Sequence, residues 1–220
     1  MMPVWLLELL RYSILIAAVI AVFRYRKVEN RYHPFFYLIW IGVINEITTT
    51  ILVQNGYYNI INSTIYSFIE AILILWLFFK FSLFRTKTIL LIIILIIFAA
   101  YIIEEYYIRF LEFNSYSRII KNFIIVLCSI SMINKLLVKE KSIIVKHPMF
   151  ILSICFIVYF IMGIVVEAFF VYTLPFTELF KINIINIIYV LNLLINFIYA
   201  FVFLLMPAKK NNNFKQVQYV

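Results

Sequence analysis

The chain has no aspartate, three glycines, two cysteines and two histidines, and only 13% of its 220 residues are charged. Each scarcity removes a class of protein. Three glycines cannot supply a Gly-rich phosphate loop or a GxxxG dimer face. Cys128 and Cys155 both lie in apolar stretches, without CxxC or Cys/His spacing, and read as inert buried thiols. His33 and His147 sit at the edges of apolar segments, so a buried histidine metal cluster is not available. No nucleophile, base and orienting group stand together, and the reading is a non-enzyme without cofactor.

What fills the chain is apolar. Hydrophobic residues make up 66% of it, against roughly 45–50% in an ordinary globular protein. A compact globule of this composition could not hide its surface from water. The fold class expected is an all-α integral membrane protein whose first partner is the lipid bilayer. The net charge of +9 comes from short Lys/Arg runs between apolar stretches, which argues against a nucleic acid as the partner.

Seven stretches near 20 residues can be read as spanning helices, at about 4–23, 34–53, 59–81, 86–103, 116–137, 148–172 and 181–206. The first has no basic n-region or A-x-A-like site, so it does not read as a cleavable signal peptide. Fourteen of the nineteen Lys and Arg residues fall on one side of this arrangement, among them Arg24, Arg26, Lys27, Lys80, Lys135 and Lys146. The positive-inside bias then puts the N-terminus outside and the C-terminus in the cytoplasm of a bacterial inner membrane. Residues 1–206 form the seven-helix transmembrane domain and 207–220 a polar cytoplasmic tail, too short for a catalytic domain. The outer segment 101–116 holds Glu104, Glu105 and Glu112 among tyrosines; it reads as an interfacial aromatic belt, or alternatively as an acidic vestibule for a cation.

Two tetrapeptide pairs point to an internal repeat. His33-Pro34-Phe35-Phe36 and His147-Pro148-Met149-Phe150 open helices 2 and 6, and Asn59-Ile60-Ile61-Asn62 and Asn183-Ile184-Ile185-Asn186 open helices 3 and 7. Helix 4 is wholly apolar from Ile89 to Ala100 and suits a lipid-facing linker. The expectation is a 3+1+3 parallel repeat, an arrangement known among transporters. Chance repetition in an Ile-rich chain, and the ordinary preference for Pro in a first helical turn, are the rival explanations.

An ionisable residue inside a spanning segment costs several kcal/mol unless paired or hydrated, and so marks a site. Glu46 and Glu70 both fall roughly 15–18 Å from the cytoplasmic ends of their helices at about 1.5 Å per residue. Facing each other, they would form a ligand site or a proton relay. Glu167 joins them from helix 6, while Glu8 and Arg11 pair as structural neighbours on helix 1. Polar stripes at helical spacing accompany these carboxylates. Asn45 lies on helix 2, Asn62 and Tyr66 on helix 3, and Asn186, Tyr189, Asn192 and Asn196 on helix 7. The stripes serve either as interhelical hydrogen-bond glue or as the lining of a cavity between helices 2, 3, 6 and 7.

With Asn45-Glu46, Tyr66-x-x-x-Glu70, His147-Pro148-Met149-Phe150 and an Asn-rich helix 7, the chain resembles a group of small seven-helix membrane proteins of Bacteroidetes. In that group a Pro-x-Phe-Trp-like entry to helix 6 recurs, and Ile151 replaces the Trp here. The resemblance implies a membrane sensor working beside a histidine kinase. The leading expectation is accordingly a sensor or accessory subunit that binds a small or lipidic ligand and signals through a cytoplasmic partner protein. The alternative is a small secondary transporter with a midplane site at Glu46 and Glu70. An oligomeric pore or membrane effector ranks third.

Overall fold

The computed structural model describes residues 10, 12–108, 115–139, 144–171 and 177–209. They form seven α-helices: α1 (Ile14–Arg24), α2 (His33–Gln54), α3 (Ile60–Lys80), α4 (Lys87–Ile103), α5 (Ser115–Lys139), α6 (Pro148–Val171) and α7 (Glu178–Leu205). Among the described residues there is no strand; Val28 and Ala208 make one isolated antiparallel bridge. Helices α2 to α7 are long and apolar enough to cross a membrane, whereas the described part of α1 is apolar but short. The expected Glu8–Arg11 pair and residues 210–220 of the tail lie outside the described residues.

Local chemistry sets the helix ends. Pro34 and Pro148 occupy first turns, where a missing N–H costs nothing. Thr86 and Thr177 cap α4 and α7, their hydroxyls accepting from the N–H groups of Ile89 and Phe180 at 3.4 Å. Gly56 (φ 74°) supplies the left-handed residue that turns the chain after α2. Beyond α3, the carbonyls of Phe81 and Ser82 both accept from the Lys135 ammonium, a cation placed where the helix dipole favours it. Arg24 does the same for α7, donating to the Phe203 carbonyl at 3.2 Å and the Met206 carbonyl at 2.7 Å.

The helices close into a ring. Helix α1 packs on α2 and α7, α2 on α3, α3 on α5, α5 on α6, and α6 on α7. Helix α4 stands outside, against α3 and α5, with Leu91, Ile92 and Leu95 exposed along its outer face. At the Arg/Lys-rich end the ring is filled by aromatic packing. Phe35 lies 5.1 Å from Tyr199 and 4.9 Å from Phe203, and Phe156 lies 6.0 Å from Phe78 and 6.2 Å from Tyr199, between ring centroids. Each such buried aromatic pair adds about 0.5–1.5 kcal/mol beyond its area.

Candidate functional site

Toward the other end the ring encloses a cavity of about 640 Å³, within the roughly 300–1,000 Å³ typical of small-molecule sites. Its lining runs from Val53 and Asn59, beside the exposed α2–α3 connection, down to Phe160 and Tyr199 at the aromatic packing. Asn45, Glu46, Tyr66, Glu70, Glu167, Tyr189, Asn192 and Asn196 all line it. Asn62 stands behind that lining, its amide donating to Asn45 Oδ1 at 3.0 Å, Thr49 Oγ1 at 3.1 Å and Asn59 Oδ1 at 3.0 Å. Asn186 is half-buried on α7 and is not part of the lining.

Helix α5 contributes what the sequence reading left out. Arg118 and Lys121 fall near the end of an apolar segment, where they count as outer-side cations, yet both point into the ring. Lys121 is 4% exposed and Glu70 7%, and the ammonium donates to Glu70 Oε2 and to Ser67 Oγ, each at 2.8 Å. The Tyr101 hydroxyl of α4 also donates to Ser67 Oγ at 2.9 Å, so this tyrosine is a buried tether rather than a belt residue. One turn nearer the N-terminus of α5, Arg118 reaches Ser63 Oγ at 2.8 Å and Glu167 Oε1 at 3.4 Å. The signal available in the sequence was the i, i+3, i+4 run Arg118, Lys121, Asn122, which puts all three on one face. Glu70 therefore has the Lys121 ammonium as an immediate neighbour.

Two acceptors in this wall make no hydrogen bond: Glu167 Oε2 and Asn122 Oδ1, the latter on a residue only 5% exposed. Three carboxylates (Glu46, Glu70, Glu167) and two cations (Arg118, Lys121) line the cavity among the described residues. Glu104 does not join them. It is 2% exposed, and its carboxylate accepts from the N–H groups of Tyr116 (3.0 Å) and Ser117 (2.6 Å), capping α5 instead of lining an acidic vestibule.

The cavity walls echo each other across the ring. Two of the three glycines precede a lining glutamate by four residues, Gly42 with Glu46 on α2 and Gly163 with Glu167 on α6. A Cβ on Gly42 would stand 2.6 Å from Ile14 Cδ1 of α1, and one on Gly163 would stand 2.7 Å from Asn122 Nδ2 of α5. The residues just before these contacts reach across to the next helix. Ser13 accepts from Asn196 of α7 at 2.8 Å, and Lys121 donates to Glu70 of α3 at 2.8 Å. The Asn-Ile-Ile-Asn pair does not share this register, since Asn59 precedes α3 while Asn183 lies in the second turn of α7.

A helix ring with a polar interior and six apolar, span-length helices fits a multi-pass membrane protein. The chain matches no family model, no curated protein and no solved structure.

Proposed function

We propose that the protein is a small secondary transporter of the bacterial inner membrane, its cavity open toward the outer side. On this reading the chain crosses the membrane seven times, with the N-terminus outside and the basic loops in the cytoplasm. Helices α1–α3 and α5–α7 are two parallel halves joined by α4. The ring order supports the halves, because stepping three places round it carries α1 to α5, α2 to α6 and α3 to α7. The paired Gly-x-x-x-Glu contacts follow the same exchange.

The observation that carries the reading is the polarity of access. The cavity reaches exposed residues at the α2–α3 connection and stops at the Phe35, Phe156, Tyr199 and Phe203 packing. A carrier requires such a one-sided state, together with a second state open to the other side. A sensor requires only the cavity. The sensor or accessory-subunit reading keeps the same ligand site and adds a cytoplasmic partner at the basic loops.

The test needs no known substrate. In a Cys128→Ser, Cys155→Ser background, a single cysteine is placed in the cavity by Asn192→Cys. A membrane-impermeant maleimide should reach it from outside in right-side-out vesicles and from the cytoplasmic face in inside-out vesicles. Labelling from one face under every condition would exclude transport and leave the sensor.

A further inference from the structure

The α5–α6 wall of the cavity holds three buried polar atoms that make no hydrogen bond, the acceptors Glu167 Oε2 and Asn122 Oδ1 and the donor Arg118 Nε. Arg118 and Asn122 lie one turn apart on α5, facing Glu167 and Gly163, also one turn apart on α6. The Arg118–Glu167 contact uses only Oε1, at 3.4 Å. That leaves Glu167 Oε2 and Asn122 Oδ1 as buried acceptors without donors in the same wall. Leaving such atoms unsatisfied costs about 1–3 kcal/mol each, more at a carboxylate. Gly163 lets the Asn122 amide sit against α6, because a Cβ there would collide with it.

The Lys121 ammonium is committed elsewhere. Lys121 is held by Glu70 and Ser67, and it also lies over the Phe160 ring, 5.2 Å from its centroid. Arg118 reaches Ser63 Oγ and Glu167 Oε1, and its Nε, a buried donor that makes no hydrogen bond, bonds neither Glu167 Oε2 nor Asn122 Oδ1, so a ligand that carries its own donors satisfies both acceptors. A primary ammonium fits best. It carries three N–H donors and no acceptor, and its bond to a carboxylate is roughly twice as strong as a neutral one. The volume exceeds what a bare ion needs, and the aromatic floor of Tyr159, Phe160 and Tyr199 suits an apolar or aryl body attached to the amine.

We infer that the transported ligand is a small organic amine, bound through its ammonium to Glu167 and Asn122 with its apolar part toward Tyr159 and Phe160. The inference rests on the transporter reading for the word "transported", but not for the site.

The experiment measures binding to the full-length protein in detergent, by calorimetry and thermal shift. It uses three probes of one size and different headgroup: 2-phenylethylamine, 2-phenylethanol and phenylacetate. The amine is expected to bind and to raise the unfolding temperature, and the alcohol and acid to do neither. Glu167→Gln should weaken amine binding by about 30-fold or more, the loss expected when a buried charge pair loses one partner. Asn122→Asp, which is isosteric and adds a carboxylate, should tighten it, and this variant decides the matter if Glu167→Gln fails to fold. Equal binding of amine and alcohol, preference for the acid, no binding of the amine, or an amine affinity unmoved by both variants would each overturn the inference. Binding of the acid with two-sided labelling at position 192 would sink the ligand class and keep the transporter. Amine binding with one-sided labelling would do the reverse.

Discussion

The Lys121 ammonium lies 2.8 Å from Glu70 Oε2, with both residues almost fully buried between α5 and α3. A single pair of this kind decides how the site tolerates change. Its Coulomb gain is set against the desolvation of both ions, so the intact pair is worth little net while a broken pair is expensive. Lys121→Met should therefore destabilise the protein by about 3–5 kcal/mol. Lys121→Met combined with Glu70→Leu should recover most of that loss. Thermal unfolding of the two single variants and the double variant measures the coupling, and additive losses would mean that the two groups do not interact.

Gly163 makes a sharper steric prediction. A Cβ there meets Asn122 Nδ2 at 2.7 Å, so Gly163→Ala must displace the amide or the helix. The expected cost is about 1–3 kcal/mol, in the range of ordinary overpacking. Shortening the partner with Asn122→Ala should return most of it. A Gly163→Ala variant as stable as the parent would show that α5 and α6 stand farther apart than this contact requires.

Glu104 tests a different principle. It caps α5 from outside the helix, satisfying the N–H groups of Tyr116 and Ser117 with one carboxylate. Glu104→Ala takes the acceptor from both donors, of which the Ser117 N–H is buried, and should cost about 1–3 kcal/mol. Glu105→Ala, its immediate neighbour in sequence, provides the matched control and should cost less. Hydrogen exchange at the start of α5 should quicken in the first variant and not in the second. Equal effects would mean that the carboxylate does not act as a cap.

Much of the helix layout was legible because a spanning helix advertises itself in one dimension, through length and continuous apolarity. The second to sixth apolar segments coincide with α2–α6 to within two residues, and α7 begins three residues before its expected start. Carboxylates in mid-segment, such as Glu46 and Glu70, were equally plain, because nothing near them in sequence explains a charge. The cations that meet them were hidden for the opposite reason. Arg118 and Lys121 sit in the first turns of α5, where the positive-inside count treats any Lys or Arg as a loop residue. Only the packing of α5 against α3 and α6 reveals that they face inward. Tyr101 and Glu104 were likewise assigned to an interface by position, when burial and hydrogen bonding place them in the framework.

The orientation of the whole bundle rests on charge bias, and it yields a prediction independent of the cavity. Tyr58, in the α2–α3 connection, is 90% exposed, and Arg85, between α3 and α4, is also exposed. The two positions lie at opposite ends of α3, so single cysteines at them should react from opposite sides of the membrane. In a background without Cys128 and Cys155, Tyr58→Cys should be modified by an impermeant reagent added outside intact cells. Arg85→Cys should be protected until the membrane is opened. The reverse pattern would invert the bundle and turn the mouth of the cavity toward the cytoplasm. Protection of both would mean that α3 does not span. Neither substitution touches the cavity lining, so the result bears on topology alone, and it fixes which side of the membrane the mouth of the cavity faces.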